Sequence, residues 1–116
     1  YRFTCNRCFS NPFQFIQTHF RKINIIEKAG ILWGQDNKTL LQTHNCDLDN
    51  DNSPESKCCK ITINSLISED YLESEGMNGD TYVYKNPVDN NNISNNCVYV
   101  YKKNNRVYSY YSKREC

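Results

Sequence analysis

Seven cysteines, Cys5, Cys8, Cys46, Cys58, Cys59, Cys97 and Cys116, stand in a chain of 116 residues. The mean hydropathy is −0.81. A domain this small buries only part of its apolar surface, and something besides a core must offset the conformational entropy of folding. Disulfides fill that role in oxidising compartments, so the composition points to a secreted, single-domain protein spanning residues 1–116. Zinc is the competing use of cysteine. Only Cys5-Asn-Arg-Cys8 has ligand-pair spacing and no second pair follows it, so no metal is expected. Seven is odd, which leaves one thiol free or shared between chains. The chain is therefore expected to be a monomer, or a dimer joined through that cysteine.

No apolar run approaches the ~18 residues of a membrane helix, and no membrane partner is expected. With no leader at its start, the chain is expected to be a mature product beginning at Tyr1. The sequons Asn37-Lys-Thr39 and Asn92-Ile-Ser94 are available for glycosylation in a eukaryotic secretory pathway. The net charge of +1 conceals a pattern: residues 1–45 sum to +4, residues 46–96 to −7 and residues 97–116 to +4. If the two ends meet in space they form one basic face. The simpler reading is that basic ends attract an acidic middle.

One helix is well signalled. Asn11 suits the N-cap, Pro12 the first helical position, and Gln14 follows the cap by three residues. Phe13, Ile16, Phe20, Ile23 and Ile26 recur at helical spacing, and Gly30 reads as a stop, so the helix is expected over Pro12 to Ala29 with that face buried. Beyond it the period falls to two, at Ile61 and Ile63 and at Thr81-Tyr-Val-Tyr-Lys85. Val98 to Tyr111 reads as a hairpin of alternating aromatic and β-branched residues about Asn104-Asn105, a pair that tolerates the positive φ of a tight turn. Ile31-Leu-Trp33 and Thr39-Leu-Leu41 are weaker strand candidates. The fold expected is α+β, one N-terminal helix packed on an antiparallel sheet and stabilised by disulfides.

Several constellations have ordinary explanations. Asp47-x-Asp49-x-Asp51 resembles the start of a calcium loop but carries Asn52 and Cys58 where glycine and glutamate are needed, and reads as a solvated acidic loop. Cys5-x-x-Cys8 follows no βαβ pattern, so a structural role outweighs a redox one. His19 lies within the helix and His44 near Cys46, each more ordinary than catalytic. No cofactor is implied. Tyr99, Tyr101, Tyr108, Tyr110 and Tyr111 are interleaved with Lys102, Lys103, Arg106, Lys113 and Arg114. Such a mixture stacks on and neutralises nucleic acid, or anchors a protein interface. Alternation requires about half the rings to face inward.

The two ends resemble a known family. Phe3-Thr-Cys5-Asn-Arg-Cys8-Phe9-Ser10 followed by a helix, the Asn104-Asn105 hairpin, and the closing Glu115-Cys116 are similar to small secreted fungal guanyl-specific ribonucleases. The resemblance extends to ribonuclease-like effectors of powdery mildew fungi, whose N-terminal aromatic-x-Cys is matched by Phe3-Thr-Cys5. It covers roughly 45 residues at the termini, by count of the matched segments. It implies a microbial ribonuclease-like fold and a bridge from Cys5 to Cys116.

It also implies a carboxylate base, a histidine acid, a second histidine and an arginine. His44 fits the place of one histidine. Lys60 stands where the glutamate is expected, Asn96-Cys97-Val98 opens the strand that should carry the arginine, and Arg106 to Ser112 holds no histidine. Each missing group slows such chemistry by ~10² to 10⁴. The expectation is a secreted effector without catalysis. It would act beside a host cell or delivered into it, and bind host protein, an intracellular plant immune receptor included, or RNA, or both. Lys102, Lys103, Arg106, Tyr108 and Tyr110 are the expected partner surface. The rival readings are an active guanyl-specific ribonuclease and a disulfide-rich toxin or immune modulator of another parasite.

Overall fold

The computed structural model describes the backbone of residues 12–42 and 57–116 and the side chains of residues 19–41 and 59–116. Helix α1 (Pro12–Asp36) is followed by a 3-10 turn (Leu40–Gln42), strand β1 (Lys57–Thr62), helix α2 (Ile63–Ser68), the strand pair β2 (Gly76–Asn78) and β3 (Thr81–Val83), and the hairpin β4 (Asn96–Lys103) and β5 (Arg106–Glu115). The main sheet is antiparallel in the order β1-β4-β5, and β2-β3 form a separate ribbon. Helix α1 packs on β4 and β5, so the α+β arrangement of one long helix on an antiparallel sheet is as expected. The core between them holds Ile26, Ala29, Trp33, Val98, Val100, Val107 and Tyr111, continued by Leu41, Ile61, Ile63 and Leu66.

The helix runs past its expected end. Gly30 does not stop it but lies inside it, because the helix axis comes very close to the hairpin there. A Cβ on Gly30 would stand 2.4 Å from Ser109 Oγ, and one on Gly34 would stand 2.5 Å from Val100 Cγ1 and 2.7 Å from Val107 Cγ1. Helical propensity is given up for close packing. Ile31 to Trp33 consequently belongs to α1, and Leu40-Leu41 to the 3-10 turn, rather than to strands. The helix ends where Asn37 Nδ2 donates to the Trp33 carbonyl at 2.8 Å. The buried stripe is Ile26, Ala29 and Trp33, and Phe20, expected inside, is 61% exposed. Shifting the stripe one turn toward the C-terminus brings the two glycines over the sheet. Phe13 and Ile16 lie outside the described side chains.

Polar contacts also tie α1 to its surroundings. Glu27 Oε2 accepts the Tyr111 backbone N–H at 3.0 Å. Trp33 Nε1 donates to Glu69 Oε1 at 3.2 Å. Lys22 Nζ meets Glu75 Oε2 at 2.6 Å, donates to the Lys85 carbonyl and lies 4.5 Å from the centre of the Tyr84 ring. Burial pushes the Glu75 carboxyl up, but Lys22 and the Lys85 N–H together hold it below its ordinary range.

The expected bridge between Cys5 and Cys116 is corrected. Cys116 is bonded to Cys97, with Cα atoms 4.8 Å apart. The register places Asn96 opposite Glu115, so the cysteines that flank this rung meet across the open end of the hairpin. The closed loop spans 19 residues of separation, worth about 3 kcal/mol on the loop-entropy model. Cys59 is a free thiol that donates to the Leu40 carbonyl at 3.1 Å, and burial pushes its pKa up. Cys5, Cys8, Cys46, His44 and the acidic loop from Asp47 to Glu55 lie outside the described residues, as does the Cys58 side chain.

Candidate functional site

The hairpin turn sets the site. Asn104 and Asn105 take φ of 54° and 63°, the two consecutive positive values of a type I′ turn, whose twist matches that of the strands it joins. This makes Lys103↔Arg106 the closing pair and fixes Tyr101↔Tyr108 and Tyr99↔Tyr110 as the next two rungs on one face. Val98, Val100, Val107 and Tyr111 then fall on the opposite face, under α1.

The face turned away from the helix carries four tyrosines in two stacked pairs. The Tyr99 and Tyr110 rings are 6.5 Å apart at 13°, and those of Tyr101 and Tyr108 are 5.5 Å apart at 19°. Such cross-strand pairs contribute ~0.5–1.5 kcal/mol each beyond area burial. Lys60 Nζ lies 5.6 Å from the Tyr99 ring centre and Arg106 Cζ lies 5.9 Å from that of Tyr108. Tyr99 therefore sits between a cation on β1 and a ring on β5. Tyr110, on the outermost strand, is 51% exposed.

The cations gather at the turn end of the sheet. Lys103 is paired with Arg106, so the closing rung places like charges directly opposite one another. Opposed like charges destabilise a sheet. The folding of the hairpin does not require them. Across β1, β4 and β5 the first carboxylate is Glu115, the last residue of β5.

The structure thus brings Arg106, Tyr108 and Tyr110 together with Lys103 at the rim. Lys102 departs from that group: its rung with Val107 alternates onto the helix side of the sheet. Lys60 is the member that sequence reasoning passed over, because its place beside Tyr99 depends on the register of β1 against β4. Among the described residues, no group of three His, Cys, Asp or Glu is placed to hold a metal ion, and no helix is long and apolar enough to cross a membrane. Comparison with family models, curated proteins and solved structures finds no match to this chain.

Proposed function

We propose that this protein is a secreted, ribonuclease-like effector without catalytic activity, and that it acts by seizing an acidic surface of a host protein with the tyrosine-bearing face. The observation that carries the reading is four tyrosines in two stacked pairs beside the opposed Lys103 and Arg106, on strands free of carboxylate until Glu115. Tyrosine and arginine supply rigid, amphipathic anchor area at interfaces, and a positive patch speeds encounter with an acidic partner. An acidic partner would also relieve the repulsion within the Lys103–Arg106 rung.

Protein is favoured over RNA by the ring geometry. Nucleobases need an open aromatic face on which to stack. Tyr99 is flanked by Lys60 and Tyr110, and Tyr108 by Tyr101 and Arg106. The face offers ring edges and cations more than open ring planes. The non-catalytic part of the reading rests on Lys60, which stands where the ribonuclease resemblance calls for a glutamate, and on the lack of histidine from Arg106 to Ser112. The Cys97–Cys116 bridge departs from that family's pattern, so the binding face and not the disulfide frame supports the proposal.

The test uses the whole chain and a Lys103→Glu/Arg106→Glu variant. Neither protein should cleave guanosine-containing RNA above a buffer control. The wild type should retain a host protein through nuclease digestion, and the variant should lose it while melting at an unchanged temperature, since exposed charges matter little to stability. RNA cleavage, retention unaffected by the two reversals, or release on nuclease treatment would each overturn the reading.

A further inference from the structure

A cavity of about 440 Å³ opens where α1 passes the loop between β3 and β4 and the end of β5. This volume lies within the ~300–1,000 Å³ of small-molecule sites. Its polar wall includes His19, Asn86, Asp89, Asn92, Tyr111 and Lys113. It lies at the helix side of the sheet and shares no residue with the tyrosine face.

The hydrogen bonds within the wall determine what it offers a ligand. Asn86 Oδ1 accepts the Val88 N–H at 3.0 Å. Asn92 Oδ1 accepts the N–H groups of Tyr84 and Ser94 at 3.0 and 3.1 Å. Only the oxygen of an amide can accept, so these bonds fix both orientations and leave both NH2 groups uncommitted among the described residues. The Tyr111 hydroxyl accepts from Asn96 Nδ2 at 2.7 Å, which keeps its proton for donation. Burial raises the pKa of this phenol, with Asp89 adding to the rise and the Asn96 bond opposing it, so the proton is firmly held. Lys113 is exposed and makes no ion pair among the described residues. His19 Nδ1 is shielded from solvent and lacks a hydrogen-bond partner among the described residues. Against these donors stands one carboxylate, Asp89, one oxygen of which takes the Asn91 N–H at 3.0 Å.

A wall with surplus donors, one cation and one remaining carboxylate oxygen suits a ligand with acceptor oxygens at one end and hydroxyls at the other. We propose that the cavity binds a sugar phosphate, free or as part of a mononucleotide. The phosphate oxygens take the Asn86 and Asn92 amide protons, the Tyr111 hydroxyl and the Lys113 ammonium. A sugar hydroxyl donates to Asp89. The site is independent of the tyrosine face, and each can fail without the other.

The experiment is an NMR titration of the full, isotopically labelled chain at fixed ionic strength. The probes are ribose 5-phosphate, adenosine monophosphate, ribose and adenosine. Both phosphates should shift the signals of His19, Asn91, Asn92 and Lys113, and the two unphosphorylated probes should not. Equal affinity for the two phosphates would identify the sugar phosphate as the whole epitope, and tighter binding of adenosine monophosphate would show that the base adds to it. Lys113→Gln should weaken both by about tenfold or more, as loss of a charged hydrogen bond does. Asn92→Asp keeps the acceptor for Tyr84 and Ser94 but replaces the donor with a negative charge, and should weaken them similarly at an unchanged melting temperature. Millimolar phosphate probes that do not bind, equal affinity for adenosine, or shifts centred on Lys60 and Arg106 would overturn the assignment. So would a Lys113→Gln variant of wild-type affinity.

Discussion

Gly34→Ala sets two effects against each other in a way the structure can decide. In an exposed helix interior, alanine for glycine stabilises by about 1 kcal/mol. Here the new methyl would sit 2.5 Å from Val100 Cγ1 and 2.7 Å from Val107 Cγ1, against the ~3.5–4.0 Å of a relaxed carbon contact. Valine is stiff at χ1, and leaving a rotamer costs ~0.5–1.5 kcal/mol per side chain. The alternative is to move α1 off the hairpin along its whole length of contact. Overpacking of this kind costs ~1–3 kcal/mol. With both valines obstructed the upper end applies, and the net destabilisation after the propensity gain is about 2 kcal/mol. That corresponds to a melting temperature lower by roughly 8 °C for a chain of this size. Urea unfolding of the oxidised protein reads it directly. Gly30→Ala should cost less, because its nearest obstacle is the unpartnered Ser109 hydroxyl, which can rotate. A Gly34→Ala variant that is more stable than the wild type would refute the close-approach account.

Lys22→Met should cost about 1–2 kcal/mol at neutral pH, because it leaves Glu75 and the Lys85 carbonyl without their shared cation. The depressed Glu75 pKa contributes stability above the ordinary glutamate range that is lost as pH falls through the folded value, so the gap to the wild type should narrow in urea melts at pH ~3. An unchanged gap there would count against the ion pair as the cause. Tyr84 has its pKa pushed up to about 12, first by burial and then by Glu75. A raised folded value means that stability is fully present below the unfolded pKa of ~10 and declines above it, by about 1.4 kcal/mol at pH 11. Tyr84→Phe should flatten the alkaline decline measured between pH ~9 and ~11, and an equally steep decline in that variant would place the titrating group elsewhere.

The hairpin was legible because its signals are local: alternation through Val98 to Tyr111 and two asparagines able to take positive φ. The end of α1 was not, because a glycine that ends a helix and one that lets a helix approach a sheet look alike in sequence. Only the valines and Ser109 on the facing strands distinguish the two uses at Gly30 and Gly34. The same long-range fact explains why Ile31 to Trp33 read as a strand and Phe20 as buried. That Arg106, Tyr108 and Tyr110 share one face was legible from one strand's alternation. Lys60 was not, since its row depends on register across two chain-distant strands. The Cys5–Cys116 pairing came from the resemblance alone, and the meeting of Cys97 with Cys116 needed the hairpin register. The cavity beside His19 draws its wall from three separated segments, and no motif announces it.

Glu27 reaches from α1 to the Tyr111 N–H on the outer edge of β5, the last strand of the sheet among the described residues. An uncapped edge of this kind is where sheets of different molecules join and aggregate. An incoming strand would have to displace a carboxylate already hydrogen-bonded at that rung, and would bring its own carbonyl against the negative charge. Growth of a continuous intermolecular sheet is thereby obstructed from the open end of the hairpin. Removing this one acid, as in Glu27→Ala, should make the concentrated protein more prone to fibrous assembly, with the native hairpin as its template.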